Sequence, residues 1–177
     1  VVSGLQEAIS RRLDALNPVV VSFGKIEGGK AFNVIADRVT LLGTVRCLCA
    51  DLHERLPAWI EETVQAICGS FGASARVRYR CIAPPVRNDP ALTALLERSA
   101  VEQLGADQVQ RLEQPSLGAE DFAELLQDVP GSMFRLGVAG PKGCAALHNG
   151  HFNPEEGALG VGVQVLTAAM LAWTPTP

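Results

Sequence analysis

Apolar residues recur at Leu5, Ile9, Leu13 and Leu16 within SGLQEAISRRLDAL, the spacing of one helix face, and Asn17-Pro18 supplies a stop. The pattern predicts a helix over residues 3–16. PVVVSFGKI (18–26) is rich in β-branched residues, EGGK turns the chain, and NVIAD, RVTLLGTVRCLC and SARVRYRCIAPP alternate or run apolar like strands. Between them, DLHERLPAWIEETVQAICGSFG reads as an amphipathic helix with Asp51 as N-cap, Gly72 near its end and a local irregularity at Pro57. The order helix, strand, strand pair, helix, strand predicts a two-layer α+β unit with helices on one face of a mainly antiparallel sheet. The unit is ferredoxin-like but short of one strand before residue 1.

Pro84, Pro85 and Pro90 stiffen the stretch APPVRNDP, and this extended connection places a domain boundary between residues 1–84 and 85–177. Beyond it the pattern predicts a helix (PALTALLERSAVEQLG), a short strand (VQRLE), a helix opened by Ala119-Glu120-Asp121-Phe122, an apolar strand (GSMFRLGVAG), a histidine-bearing loop and a final helix from Glu155 to Trp173. Such alternation is α/β, yet two clear strands in roughly 90 residues are few for an independent core.

Composition narrows the functions. The 177 residues are 47% hydrophobic and 19% charged, with 17 Gly and 11 Pro, as in globular proteins. A formal charge of −4 and a pI near 5.4 exclude a nucleic-acid surface, which needs clustered Lys and Arg. Arg76, Arg78 and Arg80 alternate as the wet face of a strand would. No uncharged stretch approaches the ~20 residues of a membrane span, and no basic, apolar leader opens the chain, so a cytoplasmic protein without membrane partners is expected. Val1 stands where an initiating Met would, so residue 1 is not expected to be the natural start. The five cysteines, at 47, 49, 68, 81 and 144, form no CxxC pair and are expected to be reduced and mostly buried, Cys47 and Cys49 with a structural role on one strand face.

LHNGHFNPEEGAL carries His148 and His151 beside a pair of glutamates. Spacing alone leaves this motif open between a locally hydrogen-bonded loop and half of a metal site, because zinc takes three or four ligands and His53 falls in a separate predicted helix. Its place after an apolar strand and before a helix is where α/β folds carry their sites.

Four segments in order, SGLQEAISRRLDALNPVVVSFGKIEGGKAFNVIADRVTLLGTVR, PPVRNDP, LGAEDFAELLQDVPGSMFRLG and LHNGHFNPEEGAL, resemble the second half of metal-dependent amidohydrolases of the hippurate hydrolase and indole-acetyl-amino-acid hydrolase type, related to carboxypeptidase G and aminoacylase. The resemblance covers essentially the whole chain. It implies that residues 1–84 are a dimerisation domain, lacking its first strand and pairing two copies of the protein, and that 85–177 are the C-terminal part of an α/β metallopeptidase-like catalytic domain.

It further implies an enzyme that hydrolyses N-acyl amino acids of hippurate-like kind with two divalent metal ions, zinc or manganese. Most ligands and the general base are expected in an absent N-terminal segment, so no catalytic residue is assigned in this chain. By the same resemblance His148 is the metal ligand and His151 lies off the metal. Asn33 and Arg46 contact the substrate, Arg46 suiting a carboxylate by its planar fork, and Gly118 and Ala119 line the pocket. Glu155, Glu156 and Glu120 stand as alternative partners for the second nitrogen of His148. Taken without the resemblance, Arg46 is a surface-strand residue, Asn33 a turn residue, and Asp121 or Glu120 a helix cap. The alternative function is a non-catalytic dimerisation or binding module derived from the same family.

Overall fold

The structure, a computed structural model, describes residues 1–174. The chain forms two compact units: Val1–Val86 together with Pro115–Ala123, and Arg87–Gln114 together with the described residues from Glu124 onward.

The first unit holds helix α1 (Val2–Arg12), strands β1 (Val19–Gly28) and β2 (Val39–Cys47), and helix α2 (Ala50–Gly69). The strands form an antiparallel hairpin in which Val19 faces Cys47, Val21 faces Val45 and Phe23 faces Gly43. These positions share one face of the pleat, and that face meets the helices. Leu5, Val21, Leu56, Ile60 and Val64 form the buried core, with Val19, Phe23, Val45 and Cys47 packed against it. Leu5 and Leu56 are each 1% exposed, and such burial stabilises by about 1.5–3 kcal/mol per side chain. Gly43 is required by geometry, because a Cβ there would collide with the Ser22 carbonyl of the paired strand.

Local structure departs from the predicted pattern at several points. Helix α1 ends at Arg12, Leu13 is already extended, and Leu16 is exposed rather than on the helix face. NVIAD belongs to the connection between β1 and β2 and not to a strand. Asp51 is not the N-cap of α2: Cys49 occupies that position, and Asp51 lies in the first turn, where its charge favours the helix dipole. The helix also runs unbroken through Pro57, since the packing of Leu56, Ile60 and Val64 on both sides outweighs one missing ladder bond.

Residues 75–80 join no ladder, and among the described residues the sheet has two strands. The alternation still shows in burial. Ala75, Val77 and Tyr79 pack on the core while Arg76, Arg78 and Arg80 are exposed.

In the second unit, helices α3 (Pro90–Leu104) and α5 (Gly157–Ala172) pack together, and a short α4 (Phe122–Leu125) begins at the end of the first unit. Asp89 caps α3 by accepting from the Leu92 N–H at 2.9 Å, and Pro90 takes the first position, where its missing N–H costs nothing. The predicted strands VQRLE and GSMFRLGVAG do not form among the described residues, since neither segment finds a ladder partner. Helix α5 starts two residues later than predicted and is apolar nearly all round. Val165 and Ala169 are buried, whereas Leu159, Val163, Met170 and Leu171 are exposed.

Candidate active-site elements

Four of the five proposed site residues lie in the first unit. Asn33 sits in the exposed connection between β1 and β2, flanked by exposed Phe32, Val34 and Ile35. Arg46 is the penultimate residue of β2 and pairs in register with Val20, on the sheet face turned away from the helices. Its Nη1 donates to the Leu117 carbonyl at 2.6 Å. That bond brings Arg46 to the loop that carries Gly118 and Ala119, so two segments 71 positions apart in sequence meet at one place. Arginine has five donors, so the bond to Leu117 leaves most of the fork for a ligand.

The loop at 115–123 is shaped by its own side chains. The Gly118 N–H donates to Ser116 Oγ at 3.0 Å, and Glu120 accepts from the Phe122 N–H at 3.4 Å at the start of α4. The capping oxygen is therefore that of Glu120 and not of Asp121, which is exposed. The Gly118 N–H is thus already satisfied within the loop.

His148 lies in the second unit, exposed, in the loop before α5. It is the one described non-glycine residue with positive φ, at 65°. Left-handed backbone at a residue other than Gly costs about 1–2 kcal/mol and clusters at functional sites. The loop around it is organised: the Cys144 thiol reaches the Asn153 carbonyl at 3.2 Å, the His151 N–H donates to Asn149 Oδ1 at 2.9 Å, and the Glu155 N–H donates to the Val138 carbonyl at 2.9 Å. Asn149 Oδ1 thus fixes the backbone of His151, while no side-chain hydrogen bond holds either imidazole among the described residues. The Glu155 carboxylate lies against Gly140, where any side chain would displace it.

A residue that reading along the chain did not single out supports this loop. Asn88 pairs both ways with the Met133 backbone: its Nδ2 donates to the carbonyl at 2.8 Å and its Oδ1 accepts from the N–H at 3.0 Å. The Asp89 N–H adds a bond to the Gly131 carbonyl at 2.8 Å. The extended segment 131–138 is thereby pinned at its start by Asn88 and at its end by Glu155, and it leads into the histidine loop. The stretch PPVRNDP reads as a stiff linker by its prolines, and nothing local in it marks Asn88 as the partner of Met133.

Among the described residues, no group of three or more His, Cys, Asp or Glu side chains is placed to hold a metal ion.

A profile of the peptidase family M20/M25/M40 matches residues 3–172. The chain belongs to this family. It is 46% identical over 175 residues to a probable hydrolase of Synechocystis sp., covering 98% of this chain and 44% of that protein. It is 33% identical to the N-acetyldiaminopimelate deacetylase of Priestia megaterium, over 94% of this chain and 43% of the relative. Among solved structures, a dinuclear metal binding peptidase of the M20 family from Bacillus subtilis matches with a TM-score of 0.75 and 26% identity, over 96% of this chain and 45% of that one. The M20 chain thus spans less than half the length of the relatives it matches, and its mixed α/β fold with an antiparallel hairpin is that of M20 proteins. No helix among the described residues is long and apolar enough to cross a membrane.

Proposed function

We propose that this chain is the C-terminal share of a metal-dependent amidohydrolase that cleaves N-acyl amino acids, N-acetyl and hippurate-like compounds included, into a carboxylate and an amino acid. The observation that carries this reading is the match along 94% of the chain to a relative named as a deacetylase of an N-acetylated amino acid. Residues 1–84 serve as the dimerisation domain and pair two copies of the protein, and 85–177 close the catalytic domain. The likeness to a dinuclear metal binding peptidase supports a two-metal centre of zinc or manganese. Such a pair, when bound, supplies Lewis-acid polarisation of the amide and a nucleophile at neutral pH.

The roles left to this chain are binding and orientation. The Arg46 fork takes the substrate carboxylate through parallel charge-assisted bonds, held in place by its bond to the Leu117 carbonyl. Gly118 gives the substrate room beside that fork and the Ala119 N–H donates to it. The Asn33 amide, on its exposed connection, serves the reacting carbonyl. His148 contributes a neutral imidazole nitrogen to the metal centre, in a backbone conformation set before any ligand arrives.

The reading is tested by supplying the N-terminal portion of an M20 amidohydrolase in trans and following release of amino acid from hippurate and from an N-acetylated diamino acid. Turnover on complementation, absent from either portion alone, is expected. A well-folded complex without turnover on either substrate contradicts it and favours a binding module.

A further inference from the structure

Outside the elements assigned to amide hydrolysis, the first unit holds a second group of reactive side chains. Extended alternation through residues 75–80 places Ala75, Val77 and Tyr79 on the core side, and continuing it puts Cys81 on the same side, toward α2. His53, in the first turn of α2, meets it there. Its Nε2 lies 3.1 Å from Cys81 Sγ. Cys81 is exposed, whereas the other four cysteines are all partly buried.

Two of those four are occupied or hindered. The Cys47 thiol points at the Cys49 carbonyl at 3.8 Å and Cys144 at the Asn153 carbonyl at 3.2 Å. Burial pushes the Cys47 thiol up, with the neighbouring sulfurs of Cys49 and Cys81 acting in the same direction. Cys81 alone combines solvent access with an imidazole in contact.

We propose that Cys81 and His53 form a reactive thiol–imidazole pair, a modification site at which Cys81 exchanges with low-molecular-weight disulfides. In the Nδ1–H tautomer, His53 Nε2 accepts the Cys81 thiol proton as Sγ attacks one sulfur of the disulfide. The Sγ–S bond forms, the S–S bond of the reagent breaks, and its other half leaves as a thiolate that recovers the proton from the imidazolium or from water. One thiol and one disulfide are consumed and one mixed disulfide and one thiol are produced, so no other oxidant is needed. The adduct stands between the first turn of α2 and the segment whose Val77 and Tyr79 close the core, and it displaces the His53 ring. The site is independent of the amidohydrolase reading.

Oxidised glutathione is the probe. The rate at which the protein forms a Cys81 adduct near neutral pH, followed by peptide mass mapping, is compared with that of an unstructured peptide of residues 78–84, which keeps the same sequence neighbours. General-base assistance predicts a rate at least about tenfold above the peptide's. The variant His53→Gln, which keeps a hydrogen-bonding group but takes no proton, is expected to fall to the peptide's rate with Cys144 unchanged. A rate in the unaltered protein equal to or below the peptide's overturns the proposal, as does a folded His53→Gln protein that reacts as fast as the original. Should His53→Gln unfold, seen as Cys47 and Cys68 becoming reactive, the peptide comparison decides alone.

Discussion

Arg46 Nη1 and the Leu117 carbonyl stand 2.6 Å apart across a separation of 71 residues. A charged donor on a rigid strand thereby fixes a loop with no regular structure of its own, and the loop in turn limits where the guanidinium can point. This mutual restraint is what a carboxylate site needs, because a pre-oriented fork loses less entropy on binding than a free one.

Removing the fork is therefore expected to act on both partners. Arg46→Met lowers kcat/KM of the complemented enzyme for carboxylate-bearing substrates by about 1.5–3 kcal/mol, roughly 10- to 150-fold, the range for a hydrogen bond to a charged group. Arg46→Lys recovers part of this, since it keeps the charge but not the fork. Faster hydrogen exchange at 115–119 in Arg46→Met is the structural counterpart.

Asn88→Ala removes both bonds to Met133. Both bonds are solvent-exposed, so a loss of about 0.5–1.5 kcal/mol of stability is expected, read as a lower denaturant midpoint at unchanged slope.

Two glycines of the hairpin separate close packing from mere flexibility. Gly43→Ala drives a methyl group into the Ser22 carbonyl and is expected to cost about 1–3 kcal/mol. Gly24, at the register shift between Phe23 and Lys25, has open space where a Cβ would stand. Gly24→Ala changes stability by less than about 0.5 kcal/mol. Thermal melts of the two variants side by side check both.

His148→Asn is expected to leave stability unchanged within about 0.5 kcal/mol, because Asn tolerates the left-handed backbone that His148 adopts at φ 65°. It removes the imidazole, so metal binding by the complemented protein falls while the melting temperature does not. A large loss of stability would instead make His148 a structural residue.

How much of this was legible in the sequence depended on the range of the interaction. Helices α2, α3 and α5 follow from periodicity, because it is encoded within a few residues, whereas the Asp89 cap of α3 came only with the structure. Strands were harder. Residues 75–80 alternate like a strand and bury the expected face, yet strand pairing is a property of two segments, and no described segment pairs with this one. The end of α1 was missed because Leu16 fits the helical spacing but finds nothing to pack on, at 88% exposure.

The site shows the same division. His148 stood out by residue type and by resemblance, but its φ could not be read from one letter. The contacts Arg46–Leu117, Asn88–Met133 and His53–Cys81 join residues 71, 45 and 28 positions apart, and no local pattern announces such pairs.

The most direct test of the central claim is metal content. Metal ions per chain are measured by elemental analysis after complementation in trans, for the unaltered chain and for His148→Ala. The account predicts that the complemented protein retains two divalent ions through gel filtration and that His148→Ala, still folded and still complexed, retains fewer. Equal metal content in the two complexes would contradict the assignment of His148 as this chain's ligand to a shared centre.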